Sequence, residues 1–221
     1  MIQLRKIEQE HAVRIPVDRV TIEGILSIPP ATRGVVLFAH GSGSSRFSPR
    51  NQYVAKALNK AGLATLLIDL LTKEEEEIDM QTGEFRFDID LLSQRLIGAT
   101  KWLRENPTTR NLAFGYFGAS TGAAAALIAA AKLPAEIKAV VSRGGRPDLA
   151  LDYLPKVKAP TLLIVGGDDQ TVLDLNRKAM ARLSSLKKLE IVPGASHLFE
   201  EPGKLEEVAK LSAEWFLAHL K

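Results

Sequence analysis

The stretch Leu112-Ala-Phe-Gly-Tyr-Phe-Gly-Ala-Ser120-Thr-Gly-Ala-Ala-Ala-Ala-Leu-Ile128 predicts a buried strand that turns sharply into a helix. Its first half is a continuous apolar run, which is typical of a strand covered on both faces. Its second half is rich in alanine, the best helix former. Between the two halves, Gly118-Ala-Ser120-Thr-Gly122 forms a G-x-S-x-G sequence. A serine on such a turn has a strained backbone and an exposed hydroxyl.

The glycines beside Ser120 indicate that the turn packs against neighbouring backbone. A side chain at Gly118 or Gly122 would collide with that backbone, and the helix presents its free N–H groups to the serine hydroxyl. Ser120 is therefore a candidate nucleophile. The alternative is that Ser120 only caps the helix N-terminus.

The remainder of the chain alternates strands and helices around this turn. Apolar runs predict strands at His11–Ile15, Val20–Ile28, Gly34–Ala39, Ala64–Ile68, Leu112–Phe117, Ala139–Ser142, Thr161–Val165 and Leu189–Val192. Helices are predicted at roughly 50–62, 89–105, 121–132, 172–184 and 203–220. This order predicts one α/β domain over residues 1–221, with a mostly parallel sheet, antiparallel first strands and helices on both faces. Functional side chains are expected at the carboxyl ends of the strands.

The composition excludes several classes of function. The 221 residues include no cysteine, which excludes disulfides, thiolate metal sites and a cysteine nucleophile. The four histidines are well separated, so neither a metal site nor a cofactor is predicted. A net charge of +3 without a basic cluster predicts no nucleic-acid partner. Because no signal-like N-terminus or bilayer-length apolar run is present, we expect a cytoplasmic protein that does not bind membranes.

Negative charge is concentrated in the stretch Thr72–Asp90. It contains eight acidic and two basic residues, a charge of −6 that leaves +9 for the rest of the chain. Such a run predicts a solvated loop. Since it follows the strand Ala64–Ile68, it borders the expected site, and a short lid is the alternative function.

The segment His40-Gly-Ser42-Gly follows the third predicted strand and offers backbone N–H groups. Acyl transfer needs two such donors where the carbonyl oxygen becomes an oxyanion. We assign them to the N–H of Thr121 and the N–H of Ser42, with Gly41 and Gly43 as alternatives for the second. His40 is interpreted as a residue that braces this loop.

The same loop has a second interpretation. Gly41-Ser-Gly-Ser-Ser-Arg46 is close to G-x-G-x-x-G, and Asp69 follows the next strand, as in dinucleotide-binding folds. Arg46 stands where the third glycine belongs, and Pro49 indicates that the helix begins late. These differences count against a nucleotide-binding oxidoreductase.

A histidine and an acid follow the last two predicted strands. His197 lies in a loop, where a general base can move, and an acid can orient its Nδ1–H. Asp168 and Asp169 are both candidates for that acid, with Asp148 as a third. The chain order of Ser120, acid and His197, each after a different strand, predicts a Ser-His-Asp catalytic triad.

Together these motifs resemble the α/β-hydrolase superfamily, and within it the compact branch similar to dienelactone hydrolases. The resemblance covers about residues 10–220 and implies an α/β-hydrolase fold of about eight strands. A large cap is not expected, because only about 18 residues, Arg143–Pro160, precede the seventh strand. The superfamily's G-x-x-D-x-x-V turn matches Gly166–Val172 and favours Asp169. Dienelactone hydrolases use a cysteine nucleophile, whereas this chain has Ser120.

The resemblance and the triad predict a serine hydrolase that cleaves esters or lactones of small substrates through an acyl-enzyme, without a cofactor. A thioesterase, an acyltransferase or a peptidase would use the same residues. A binding protein with a hydrolase fold is a further alternative, although it would not need a base at position 197.

Two arginines, Arg143 and Arg146, lie just after the sixth predicted strand. They are candidates for binding a substrate carboxylate through paired hydrogen bonds. The favoured interpretation is that one or both of them pair with nearby acids, with those of the 74–90 loop among the candidates. The apolar residues of the helix at 203–220 predict packing on the sheet and leave a homo-oligomer open.

Overall fold

The structure, a computed structural model, describes residues 9–221. Its strands are β1 (Gln9–Val17), β2 (Val20–Ile28), β3 (Gly34–Ala39), β4 (Ala64–Ile68), β5 (Ala113–Ala119), β6 (Ile137–Arg143), β7 (Thr161–Gly166) and β8 (Lys187–Val192). Its α-helices are α1 (Pro49–Lys60), α2 (Lys73–Thr82), α3 (Ile89–Glu105), α4 (Thr121–Lys132), α5 (Gln170–Arg182) and α6 (Lys204–His219).

All eight strands form one sheet in the order β1-β2-β4-β3-β5-β6-β7-β8. β2 is antiparallel to both of its neighbours, and every pair from β4 to β8 is parallel. The predicted α/β-hydrolase architecture is therefore confirmed. Because the parallel strands end at one edge of the sheet, the loops after β3, β5, β6, β7 and β8 meet there.

Burial of the strands follows the sequence pattern. Every residue of β3, β4 and β7 is buried, as their continuous apolar runs predict. In β2 buried and less buried positions largely alternate, because one face of that part of the sheet is less covered.

Helices cover both faces of the sheet. α1 and α6 pack together on one face, where Val54, Leu58, Val208 and Phe216 join the core. α3, α4 and α5 cover the other face. The alanines of α4 are almost all buried, which lets this helix lie close beneath the strand ends. In this packing α6 places much of its apolar surface on the sheet.

The prediction that Thr72–Asp90 is a loop is wrong for the first half of this segment, which forms helix α2. Thr72 caps this helix: its hydroxyl accepts from the Glu75 N–H, and the Glu75 carboxylate accepts from the Thr72 N–H. The acidic side chains of the first turn interact favourably with the positive end of the helix dipole. At the other end, Gly83 ends the helix in a left-handed conformation with a φ of 68°. The signal Thr-x-x-Glu is present in the sequence and outweighs the repulsion among the acids.

The connection between β6 and β7 contains only two short 3-10 helices, Pro147–Ala150 and Leu154–Lys156. The sheet edge above Ser120 is therefore not covered by a helical cap from this segment. Among the helices in residues 9–221, none combines the length and the apolar character needed to cross a membrane.

Candidate active site

Ser120 occupies the turn between β5 and α4 with a φ of 50° and a ψ of −121°. Such a conformation costs about 1–3 kcal/mol and persists only where the surroundings enforce it. Here the surroundings are close backbone contacts. A Cβ at Gly118 would overlap the backbone of Ala123, and one at Gly122 would overlap the carbonyl groups of Ala39 and His40.

The side chain of Ser120 makes no capping hydrogen bond to α4. The alternative in which this serine serves only as a helix cap therefore lacks its expected contact. The strained turn instead leaves the hydroxyl in the open cavity described below.

His197 and Asp169 meet at the ends of β8 and β7. His197 Nδ1 lies 2.7 Å from Asp169 Oδ2, and Asp169 also caps α5 by accepting from the Val172 N–H at 3.4 Å. The cap fixes the carboxylate, which in turn orients the imidazole. Neither alternative acid takes this position: the side chain of Asp148 binds Arg146, and that of Asp168 makes no hydrogen bond with His197.

Ser120 and His197 line one cavity, which has about 610 Å³ of empty space open to solvent. Among the hydrogen bonds of residues 9–221, none joins Ser120 Oγ to the imidazole. The ring packs on Gly144, where a Cβ would lie 3.5 Å from Nδ1. The neighbouring Arg143 carbonyl accepts from the Ser120 N–H at 3.3 Å, so both functional groups contact the same turn. Catalytic hydrogen bonds in unliganded enzymes are often long and tighten with substrate.

His40 braces the loop after β3, as the sequence predicts. Its Nδ1 lies 2.9 Å from the Gly41 carbonyl, and its Nε2 accepts from the Leu70 N–H at 3.0 Å. This pattern defines a neutral ring with its proton on Nδ1. Burial lowers the pKa of His40 below 6.5 and outweighs the opposing effects of the Gly41 carbonyl and of Asp69 and Glu76.

The two N–H groups predicted to be oxyanion donors, those of Thr121 and Ser42, have different surroundings in the structure. Thr121 is the first residue of α4, where an N–H has no intrahelical partner. The Ser42 N–H instead donates to Thr121 Oγ1 at 3.1 Å, so the prediction that it is free is wrong. Gly41 contacts Ser120 closely, because a Cβ there would lie 3.0 Å from Ser120 Cβ. Gly41 and Gly43 remain the candidates for the second donor.

Arg143 ends β6 and turns its buried side chain toward the same cavity. Its Nη2 donates to Asn51 Oδ1 at 3.4 Å, its guanidinium lies 5.9 Å from the centre of the Phe199 ring, and no acid of residues 9–221 pairs with it. Burial, together with the nearby charge of Arg50, lowers the pKa of Arg143 to about 10. Of the two arginines predicted to pair with acids, one or both, Arg143 is therefore the one that does not.

Arg146 does pair with an acid. Its Nε and Nη2 donate to the two carboxylate oxygens of Asp148 at 2.9 and 2.8 Å, and this bond raises the pKa of Arg146. Its side chain is not part of the cavity, so the structure does not support a substrate-binding role. The acids of Thr72–Asp90 pair elsewhere, Asp79 with Arg86 and Glu75 with Arg95.

A second cleft, with about 510 Å³ of empty space, lies between α2 and the loop Gly41–Ser45. Its apolar lining comes from Leu70, Leu71, Met80 and Leu92. Asp69 also faces it and binds Arg46. Asp69, the acid that the dinucleotide interpretation needs for a ribose, is thus paired with Arg46.

Sequence reasoning missed two residues of the cavity that contains Ser120 and His197, namely Arg50 and Asn51. Both lie in the first turn of α1, which contains no acid. A basic residue opposes the helix dipole there, so an arginine at this position was the available signal. No three His, Asp or Glu side chains cluster as a metal site within the described residues.

Comparisons with known proteins agree with this fold. The model of the dienelactone hydrolase family matches residues 22–219. A dienelactone hydrolase from Anabaena variabilis shares 62% identity, with a TM-score of 0.95 over 97% of this chain and 99% of that one. Est1E from Butyrivibrio proteoclasticus has the same fold at 17% identity, with a TM-score of 0.79 over 94% of this chain and 98% of that one.

A curated protein of Mycobacterium tuberculosis strain H37Rv is 57% identical over 212 residues, and its name proposes a phosphoribosyl transferase. The match covers 96% of this chain and 47% of the relative, so the chain spans about half the length of that protein. The family match, by contrast, covers nearly all of the described fold. The chain belongs to the dienelactone hydrolase family.

Proposed function

We propose that the chain is a serine hydrolase that cleaves carboxylic esters, including lactones, of small substrates. The observation that supports this most directly is the bond between His197 and Asp169 beside a strained serine in one cavity. A partly buried carboxylate on Nδ1 holds the imidazole in the tautomer whose Nε2 can accept a proton.

In the proposed reaction, Ser120 Oγ attacks the ester carbonyl carbon while His197 Nε2 takes the hydroxyl proton. The N–H of Thr121 and a second donor from Gly41 or Gly43 stabilise the oxyanion. His197 then protonates the leaving alcohol, and the alcohol departs as the acyl-enzyme forms. A water molecule, deprotonated by His197, releases the acid and restores Ser120.

The open cavity also fits the related reactions that use the same residues. A thioester or an activated amide presents the same carbonyl to Ser120, so thioesterase and peptidase activity remain alternatives. An acyltransferase would place an alcohol where water attacks. The transferase named for the mycobacterial relative belongs to a protein about twice this length, so the proposal concerns the hydrolase fold of this chain alone.

Covalent labelling tests the proposal. A fluorophosphonate probe is expected to modify Ser120, as mapped by peptide mass spectrometry, and Ser120→Ala is expected to abolish both the label and ester turnover. The loss of kcat should be about 10⁶-fold, as for removal of a nucleophile. A matched Ser44→Ala chain, altered in the neighbouring loop, should still be labelled.

Labelling without turnover of any member of a panel of esters, lactones, thioesters and peptides would contradict the hydrolase proposal. The relative kcat/KM values in that panel separate the ester hydrolase from its alternatives. Retained turnover by Ser120→Ala would remove the proposed nucleophile.

A further inference from the structure

The cavity that contains Ser120 and His197 is bordered by two cationic side chains, Arg143 and Arg50. Arg143 is only 5% exposed, and its Nε is buried without a hydrogen-bond partner. Arg50 also has a buried Nε without a partner. Burying a guanidinium without a compensating negative charge is costly, so this arrangement indicates an anionic ligand in the cavity.

The surroundings of these arginines provide little compensating charge. Arg50 binds Glu200 at 2.8 Å, but the Glu200 side chain is 61% exposed, and such a surface pair contributes little stability. Arg143 has no acid partner in residues 9–221. The two positive charges repel each other, which contributes to the lowered pKa of Arg143. Even so, a pKa of about 10 leaves Arg143 charged at neutral pH.

The N-terminus of α1 adds to the positive potential. Ser48, Arg50 and Asn51, at the start of this helix, all line the cavity, and its first turn carries no acid. A helix N-terminus has a partial positive charge of about +0.5. In α1, Pro49 has no N–H and the Asn51 N–H donates to Ser48 Oγ at 3.3 Å, so the helix contributes its dipole and the N–H of Arg50. Together with two guanidinium groups, it matches a group with two negative charges and several acceptor oxygens.

We propose that this end of the cavity binds a dianionic phosphate group of the substrate, held by Arg143 and Arg50 at the N-terminus of α1. A phosphate monoester carries a charge of about −1.5 to −2 at pH 7 and presents three oxygens. A carboxylate has one charge and two oxygens, and would leave part of the site unsatisfied.

The position of His197 assigns this phosphate to the alcohol part of the substrate, a step that rests on the proposed ester hydrolysis. His197 must protonate the leaving alcohol, so that alcohol lies in the cavity that His197 lines together with the arginines. The separate cleft beside Leu71, Met80 and Leu92 lies across the Gly41–Ser45 loop and is available for an apolar acyl group. The inferred substrates are therefore carboxylic esters of phosphorylated alcohols.

Binding of phenyl phosphate to the Ser120→Ala chain, measured by titration calorimetry, tests the anion site without requiring turnover. Phenyl phosphate should bind at least about 10-fold more tightly than benzoate, and Arg143→Gln or Arg50→Gln should weaken it by about 10- to 100-fold. Arg177→Gln, which alters an exposed arginine of α5, is the matched control. Because Arg143 is buried, circular dichroism must verify the fold of each variant, and the partly exposed Arg50 gives an independent variant.

Equal binding of benzoate and phenyl phosphate would overturn the dianion assignment. Affinity that is unchanged in both Arg143→Gln and Arg50→Gln would overturn the site itself, since both side chains are required by the proposal. Binding of phenyl phosphate by chains that hydrolyse no ester would support the anion site and refute the proposed hydrolase function, so the two failures are distinguishable.

Turnover of matched acetate esters tests the alcohol-side placement. The intact chain should prefer 4-acetoxyphenyl phosphate to 4-acetoxybenzamide by about 100-fold in kcat/KM, and Arg143→Gln and Arg50→Gln should remove this preference. Mono-4-nitrophenyl succinate, with its charge on the acyl part, should show no arginine-dependent preference. A phosphate ester that is no better than the amide, or a preference for the succinate, would overturn this placement.

Discussion

Two loops at the carboxyl edge of the sheet each carry a histidine, and the two rings have opposite surroundings. His40, after β3, is 8% exposed, and both of its nitrogens are bonded to backbone groups. His197, after β8, is 38% exposed in its side chain, with Nδ1 bonded to Asp169. Its Nε2 makes no hydrogen bond within the described residues. A base needs a free nitrogen, so only His197 is suited to proton transfer.

Burial explains the difference in their chemistry. The neutral ring of His40 satisfies the Gly41 carbonyl and the Leu70 N–H, and protonation would put a second N–H against the Leu70 donor. His197 can gain a proton beside an ionised carboxylate, which stabilises the imidazolium. The comparison therefore predicts a catalytic role for one histidine and a structural role for the other.

Among the substitutions that test this comparison, His197→Gln is expected to cause the largest loss of activity. Loss of the base should lower kcat for an aryl ester by about 10⁵- to 10⁶-fold, close to the loss for Ser120→Ala, because the two residues act as a unit. Unfolding by urea should change little, since the ring is partly exposed. The measurement is steady-state kinetics alongside a denaturation curve.

His11→Gln, at an exposed position of strand β1, is the control for that substitution and should keep the activity of the intact chain. A His197→Gln chain with a loss smaller than tenfold would contradict the assignment of the base. If His40→Gln caused the larger catalytic loss with a stable fold, the two roles would have to be exchanged.

A smaller effect is expected for Asp169→Asn. The amide keeps the shape of the carboxylate but can hold the wrong imidazole tautomer, which costs about 10⁴-fold in kcat in a well-studied Ser-His-Asp enzyme. The residue also caps α5, and asparagine is a good cap, so stability should be largely retained. Kinetics and thermal unfolding of the same preparation measure both effects.

Asp168→Asn is the matched control, because it alters the adjacent acid, which has no side-chain contact with His197. A loss for Asp168→Asn as large as that for Asp169→Asn would show that the 2.7 Å contact does not decide which acid acts.

Local sequence patterns predicted the fold and the elements that carry the site. The apolar runs located the strands, and G-x-S-x-G located the turn at Ser120 because a strained turn demands glycines. The resemblance distinguished Asp169 from its neighbour, which periodicity could not. These features depend on residues close together in the chain or on a pattern shared by the family.

Features that depend on contacts between distant segments could not be predicted. The Ser42 N–H is occupied by the hydroxyl of Thr121, 79 residues away. Arg50 meets Arg143 only because α1 begins beside the end of β6. Helix α2 is different, since its capping box, Thr72 with Glu75, is local and is a signal that the sequence analysis missed.

The smallest effect on activity is expected for a substitution of the structural histidine, His40, which should instead change the stability of the fold and the dependence of that stability on pH. His40→Asn should lower the unfolding free energy by about 1–3 kcal/mol at pH 8, because the Leu70 N–H loses its acceptor. The loss of kcat/KM should be smaller than for His197→Gln or Asp169→Asn. Chemical denaturation at several pH values measures the effect.

The sign of the pH dependence follows from the lowered pKa of His40. Below pH 6.5 the unfolded chain binds a proton at this residue, whereas the buried ring in the folded chain stays neutral. The contribution of His40 to stability is thus complete above pH 6.5 and declines as the pH falls toward the folded-state pKa, with a slope of at most about 1.4 kcal/mol per pH unit. His40→Asn should flatten this decline, whereas His11→Asn should not. An identical slope in the intact and His40→Asn chains would mean that His40 is protonated as readily in the fold as in the unfolded chain, and its contrast with His197 would disappear.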